Sequence, residues 1–176
     1  MPEIDQNRPF VAVNIAVLTV SDTRGEADDK SGRTLIERIE GAGHRVADRK
    51  ILRDDRATIV AQLREWIADS AIDVVIATGG TGVTGRDITP EAFHDVYDKE
   101  IPGFGEIFRM ISWQKIRTST IQSRATAGVA AGTYLFALPG SPGACRDAWD
   151  EILRYQLDIR YRPCNFVELM PRLNER

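Results

Sequence analysis

The chain has 176 residues, 43% hydrophobic and 28% charged, with 23 basic against 26 acidic side chains and a net charge of -3. That length supports one domain with a sizeable core, and the charge balance offers no basic surface for nucleic acid. No stretch approaches the roughly 20 apolar residues needed to cross a bilayer, and MPEIDQNRPF carries acids and a proline before any apolar run, so a cytoplasmic protein is expected.

In chain order, Val11 to Val20 is dense in β-branched residues and reads as a strand covered on both faces. Leu35, Ile36 and Ile39 recur at helical spacing before the break GAGH, and Arg45 to Leu52 is a second strand. Ile59, Val60, Leu63, Trp66 and Ile67 form the apolar stripe of a helix, and Asp73 to Thr78 is a short inner strand. Pro90 and Pro102 each mark the first turn of a helix. The small-residue run SRATAGVAAG (123–132) predicts a closely packed helix, TYLFAL a strand, and PGSPGACRDAWDEILRYQL a loop leading into an amphipathic helix. Strands alternating with helices imply a three-layer α/β/α sandwich on a mostly parallel sheet, one domain over 1–176 with its core at about 11–157 and an extension at 158–176. Right-handed crossovers then bring TVSDTRG, ATGGTGVTGRD and ALPGSPG to one sheet edge, the expected ligand site. Cys145 and Cys164 form no CxxC, and His44 and His94 lie far from them, so zinc and redox patterns are absent.

The segment VVIATGGTGVTGRDITPE, 74–91, carries the most chemistry. Gly80-x-Gly82-x-x-Gly85 has dinucleotide-fingerprint spacing, but RDITP intervenes before the helix start at Pro90. Gly80 and Gly85 also match the start of a P-loop, yet Arg86-Asp87 stands where Lys and Ser/Thr are required. What remains is a loop whose amides could surround an anion, with threonine hydroxyls and Asp87 suited to a magnesium nucleotide. A tight turn with Asp87 as a helix cap is the plainer alternative.

Read together, LTVSDTR, DKSG, ATGGTGVTGRDITPE, PGFGEIFR, Ser123-Arg124 and LPGSP resemble the molybdenum cofactor biosynthesis family that binds molybdopterin, including MogA, MoaB and the related gephyrin domain. The closing RPCNF, 162–166, is similar to the bacterial MoaB branch. The resemblance implies a cytoplasmic role in cofactor synthesis, with AMP transferred from Mg-ATP to the terminal phosphate of molybdopterin and pyrophosphate released. A non-catalytic molybdopterin or intermediate binder of the MoaB type is the alternative. It also implies a homo-oligomer, trimer or hexamer, and contact with other cofactor-synthesis proteins.

By the same resemblance Asp87 and Asp54 are the catalytic and magnesium-holding acids, with Asp55 adjacent to Asp54 and open as its substitute. Gly79, Gly80, Thr81 and Gly82 would cradle phosphates, and Ser21, Asp22 and Thr23 would line the next pocket. Gly140 and Ser141 stand before the last long helix, Glu106 and Arg109 are a polar wall and anion contact, and Ser123 and Arg124 are pterin or phosphate contacts. Plainer readings stand beside these: Asp22 capping its own loop, Glu106 and Arg109 as an intrahelical pair, Ser141 as an N-cap.

Overall fold

The computed structural model describes residues 3–175, so the first two residues of the amino-terminal segment and the last of the 158–176 extension lie outside the described residues. After a short β1 (Glu3–Ile4), the apolar run forms β2 (Asn14–Val20). α1 (Lys30–Gly41) is opened by Asp29, whose carboxylate accepts the Gly32 amide at 2.8 Å. Then come β3 (Arg45–Leu52), α2 (Arg56–Ala68), β4 (Val74–Thr78), α3 (Thr89–His94), β5 (Lys99–Glu100) and α4 (Pro102–Ile116). A 3-10 segment, Arg117–Gln122, leads to β6 (Thr126–Ala130) and β7 (Thr133–Leu138). α5 (Pro142–Ala148) passes through a π-helical turn at Trp149–Leu153 into α6 (Arg154–Gln156), and β8 (Tyr161–Arg162) and α7 (Phe166–Leu169) close the chain.

Six strands lie in the order β3-β2-β4-β7-β6-β5. β3, β2, β4 and β7 are parallel, while β6 and β5 run antiparallel to their neighbours. Alternation along the strands divides the core between the two faces. Ile15, Val17, Val74, Ile76 and Phe136 pack with α1, α4 and α5; Ala16, Leu18, Val75, Ala77 and Leu135 pack with α2 and α3. This is the expected three-layer arrangement. Among the described residues, no helix is long and apolar enough to cross a membrane.

The run 123–132 departs from expectation: it is no helix but the edge of a hairpin, with Thr126 opposite Ala137 and Ala130 opposite Thr133. Its turn is the pair Ala131-Gly132 at φ 46° and 91°, a left-handed pair that suits the twist of a two-residue hairpin. Close packing was the right inference from the small residues, but the partner is an aromatic ring. A Cβ at Gly128 would stand 2.4 Å from Cδ1 of Tyr97.

Candidate functional site at the carboxyl edge of the sheet

β2, β4 and β7 are parallel neighbours, so the loops that follow them meet at one edge. They meet backbone to backbone. Gly79 adopts φ 107°, and a Cβ there would stand 2.1 Å from the Val20 carbonyl oxygen, so the loop after β4 can lie on the end of β2 only as glycine. On the other side, a Cβ at Gly140 would meet the Gly79 Cα at 3.2 Å. Buried Thr78 donates to the Pro139 carbonyl at 2.9 Å, and Arg24 and Ser31 both donate to the Gly140 carbonyl, at 2.8 and 2.9 Å.

The structure separates the two adjacent aspartates. Asp55 is the N-cap of α2 and accepts the Thr58 amide and hydroxyl at 2.8 and 2.6 Å. Asp54 faces the glycine loop, its Oδ1 lying 2.9 Å from where a Gly80 Cβ would stand. Burial first, and then the charge of Asp22, push the Asp54 carboxyl above the usual carboxylate value, with Asp87 adding to the effect. Asp22 accepts the Asp54 amide at 3.2 Å and two bonds from Arg86, at 3.0 and 2.6 Å. The Arg86 contact holds Asp22 below its ordinary value.

Asp87 folds back into its own loop, where Oδ2 accepts the Thr84 amide and hydroxyl at 2.8 and 2.7 Å. Its burial opposes ionisation, but the Thr84 bonds, the Gly82 amide and the Arg124 charge together hold it below the usual range. Asp87 is therefore a loop brace rather than the cap of α3, and it remains on the wall of the cavity.

That cavity, of about 730 Å³, opens between the glycine loop, the Gly140 loop and the ends of α4 and α5. Of the residues singled out in the sequence, Gly80, Thr81, Gly82, Asp87, Ser123, Gly140 and Ser141 line it. Gly79 is buried beneath them and supports the loop. Ser141 is also the N-cap of α5, accepting the Ala144 amide at 3.1 Å. Ser21, Asp22, Thr23 and Asp54 lie outside the lining; Ser21 Oγ accepts the Thr23 and Arg24 amides at 3.3 and 3.2 Å, organising its own turn.

Arg124 is not presented to this cavity. Its guanidinium donates to the carbonyls of Gly82 and Asp87 at 2.6 and 2.7 Å and pairs with Glu91, bracing the glycine loop from behind. Arg109 donates to the Ala125 carbonyl at 3.3 Å and borders, with Arg124 and Ser123, a second cavity of about 670 Å³. Glu106 is exposed and lines neither, and among the described residues no ion pair joins it to Arg109.

Sequence reading missed Arg24, Ser31, Lys115 and Arg146. The first two clamp Gly140; the last two present cations to the large cavity, Lys115 while paired with Asp147. Cationic residues at the ends of two helices carry no motif, so only the packing of α4 on α5 could have found them.

Magnesium asks little of a protein, often one or two carboxylates beside phosphate oxygens and waters. Asp54 borders the notch at Gly80, and Asp87 Oδ2 lies 2.8 Å from where a Gly82 Cβ would stand. Acids on two neighbouring loops, close enough for the charge of Asp87 to raise the Asp54 carboxyl, are a donor set that fits such a cation. Among the described residues no group of three or more His, Cys, Asp or Glu is placed to hold a metal, so substrate oxygens would have to complete the site. Backbone amides of a glycine loop with Arg24, Lys115 and Arg146 on the cavity wall suit an anionic ligand.

Residues 16–159 match the family model described as a probable molybdopterin binding domain. Molybdenum cofactor biosynthesis protein B of Escherichia coli strain K12 is 53% identical over 157 residues, covering 89% of this chain and 92% of that protein. A crystal structure of a molybdenum cofactor biosynthesis protein B superposes with a TM-score of 0.83 at 41% identity, covering 85% and 94% of the two chains. The tungsten cofactor synthesizing protein MoaB from Pyrococcus furiosus gives 0.73 at 40%, covering 81% and 91%.

Proposed function

Because the chain belongs to the family of probable molybdopterin binding domains, we propose that it acts in molybdenum cofactor biosynthesis in the cytoplasm, binding molybdopterin and transferring AMP from Mg-ATP to its terminal phosphate with release of pyrophosphate. The observation that carries this reading is the glycine loop with a carboxylate against each of two of its glycines: Asp87 beside Gly82 on the wall of a cavity of about 730 Å³, and Asp54 beside Gly80, outside that lining.

In that reaction a terminal phosphate oxygen of the pterin attacks the α-phosphorus of ATP, and pyrophosphate departs. The nucleophile is already ionised near neutral pH, so the residues supply position and charge neutralisation rather than a strong base. Asp54 and Asp87 would hold magnesium, which when bound offsets the repulsion between phosphates and acids. The amides around Gly80, Thr81 and Gly82 would receive phosphate oxygens. Arg24, Lys115 and Arg146, all on the cavity wall, would neutralise the two anions as they approach. Arg124 keeps the loop in register from behind.

Purified protein mixed with molybdopterin and Mg-ATP is expected to yield pyrophosphate and adenylylated pterin in equal amounts, with Asp87→Asn at least about 100-fold slower. Tight pterin binding without product would replace the enzyme with a carrier that holds molybdopterin or an intermediate. The same reading includes a homo-oligomer, trimer or hexamer, supported by Ile107, Met110 and Trp113, which recur every three residues along α4 with exposed side chains.

A further inference from the structure

We propose that the hydroxyl of Thr89 is a positioning group for Asp54, held in reserve to donate to its carboxylate when nucleotide occupies the glycine loop. The proposal rests on the adenylyl-transfer reading and adds a residue to it.

Thr89 is completely buried, and its Oγ1 has no hydrogen-bond partner among the described residues. An unmatched hydroxyl inside a protein destabilises the fold, and a valine would fill the same volume without that penalty. The hydroxyl does not serve the helix it begins: the N-cap of α3 is Ile88, and no side chain caps that end. Its position is nevertheless fixed, because the Thr89 amide donates to the Gly80 carbonyl at 3.0 Å and Pro90 follows.

What the hydroxyl faces is the notch at Gly80. The point where a Cβ would stand there, at φ 66°, lies 2.3 Å from Thr89 Oγ1 and 2.9 Å from Asp54 Oδ1. The two oxygens therefore flank one small gap that glycine alone leaves open, and the proposed bond would form across it by rotation of the Asp54 side chain. A hydroxyl bonded to one carboxylate oxygen fixes the rotation of the group and leaves the other oxygen directed at the loop. Thr89 would thus aim Asp54 without touching substrate.

The test compares full-length wild type, Thr89→Val and Thr89→Ser by thermal unfolding, Mg-ATP calorimetry and adenylylation rate. Thr89→Val is expected to melt at the same temperature or a few degrees higher, while kcat and Mg-ATP affinity each fall about tenfold and the KM for pterin holds. Thr89→Ser, which keeps the hydroxyl, is expected to stay within about twofold of wild type. The proposal is overturned if Thr89→Val keeps wild-type affinity and rate, or if it loses stability in step with activity. A wild type that binds Mg-ATP but makes no product defeats the adenylyl-transfer reading alone, and calorimetry then decides Thr89. A wild type that does neither defeats both.

Discussion

Asp54 and Asp55 are chemically identical neighbours on a strand-to-helix turn, and their surroundings give them opposite duties. Asp55 satisfies the first turn of α2, whereas Asp54 is half-buried against Gly80 with Asp22 and Asp87 nearby. Asp55→Ala should lower the melting temperature by about 2–4 °C, as the loss of a helix cap does in a chain of this length, while leaving the adenylylation rate near wild type. Asp54→Asn should do the reverse: relief of charge repulsion keeps or raises the melting temperature, and the rate falls about 100-fold. Differential scanning calorimetry and the pyrophosphate assay on the two variants separate the roles; a shared phenotype would mean the turn acts as one unit. Arg124 teaches the same lesson. It was legible as a functional cation but its destination was not, because the carbonyls it holds belong to residues 82 and 87.

Among the elements, the hairpin of β6 and β7 is where local pattern misled. Alanine and glycine at 125–132 carry helical or packing preferences that tertiary contact overrode, since Gly128 is small to admit the Tyr97 ring. Gly128→Ala should therefore destabilise the fold by about 1–3 kcal/mol in urea unfolding, through overpacking rather than backbone strain. The tail is similar. RPCNF marks a branch of the family, yet in the structure Asn165 caps α7 and its amide donates to the Ile159 and Tyr161 carbonyls at 3.2 and 3.1 Å, a structural tie away from the cavity.

At the entry to β2, His44 Nδ1 accepts the Val13 amide at 3.2 Å, which requires the neutral ring, and the ring packs on Phe10 and Trp149. Burial pushes His44 below the ordinary histidine value of 6.5, against the pull of Asp158. The unfolded chain then binds a proton that the folded one resists, so stability is expected to fall as pH drops below 6.5. Urea midpoints between pH 7.5 and 5.5 should show this slope, and His44→Gln should flatten it.

For the whole molecule, the unpaired apolar stripe on α4 is the feature that one chain leaves unexplained. Met110 and Trp113 are 59% and 44% exposed, and Ile121 beyond the helix is 82% exposed. Sedimentation equilibrium is expected to give a trimer or hexamer, and the double variant Met110→Glu with Trp113→Glu to give a folded monomer. A wild-type monomer would assign the stripe to another partner.

The fold class and the meeting of the loops after β2, β4 and β7 at one edge were determined by the sequence alone, because each depends on local pattern: apolar runs, glycine spacing and the rule that parallel strands send their loops to one edge. Tertiary structure alone decided which aspartate faces the loop, which cations reach the cavity and whether small residues lie in a strand or a helix. Those outcomes depend on partners far apart in the chain, as when Arg24 closes on Gly140 and Arg124 on Gly82, and no window of sequence contains both ends of such a bond.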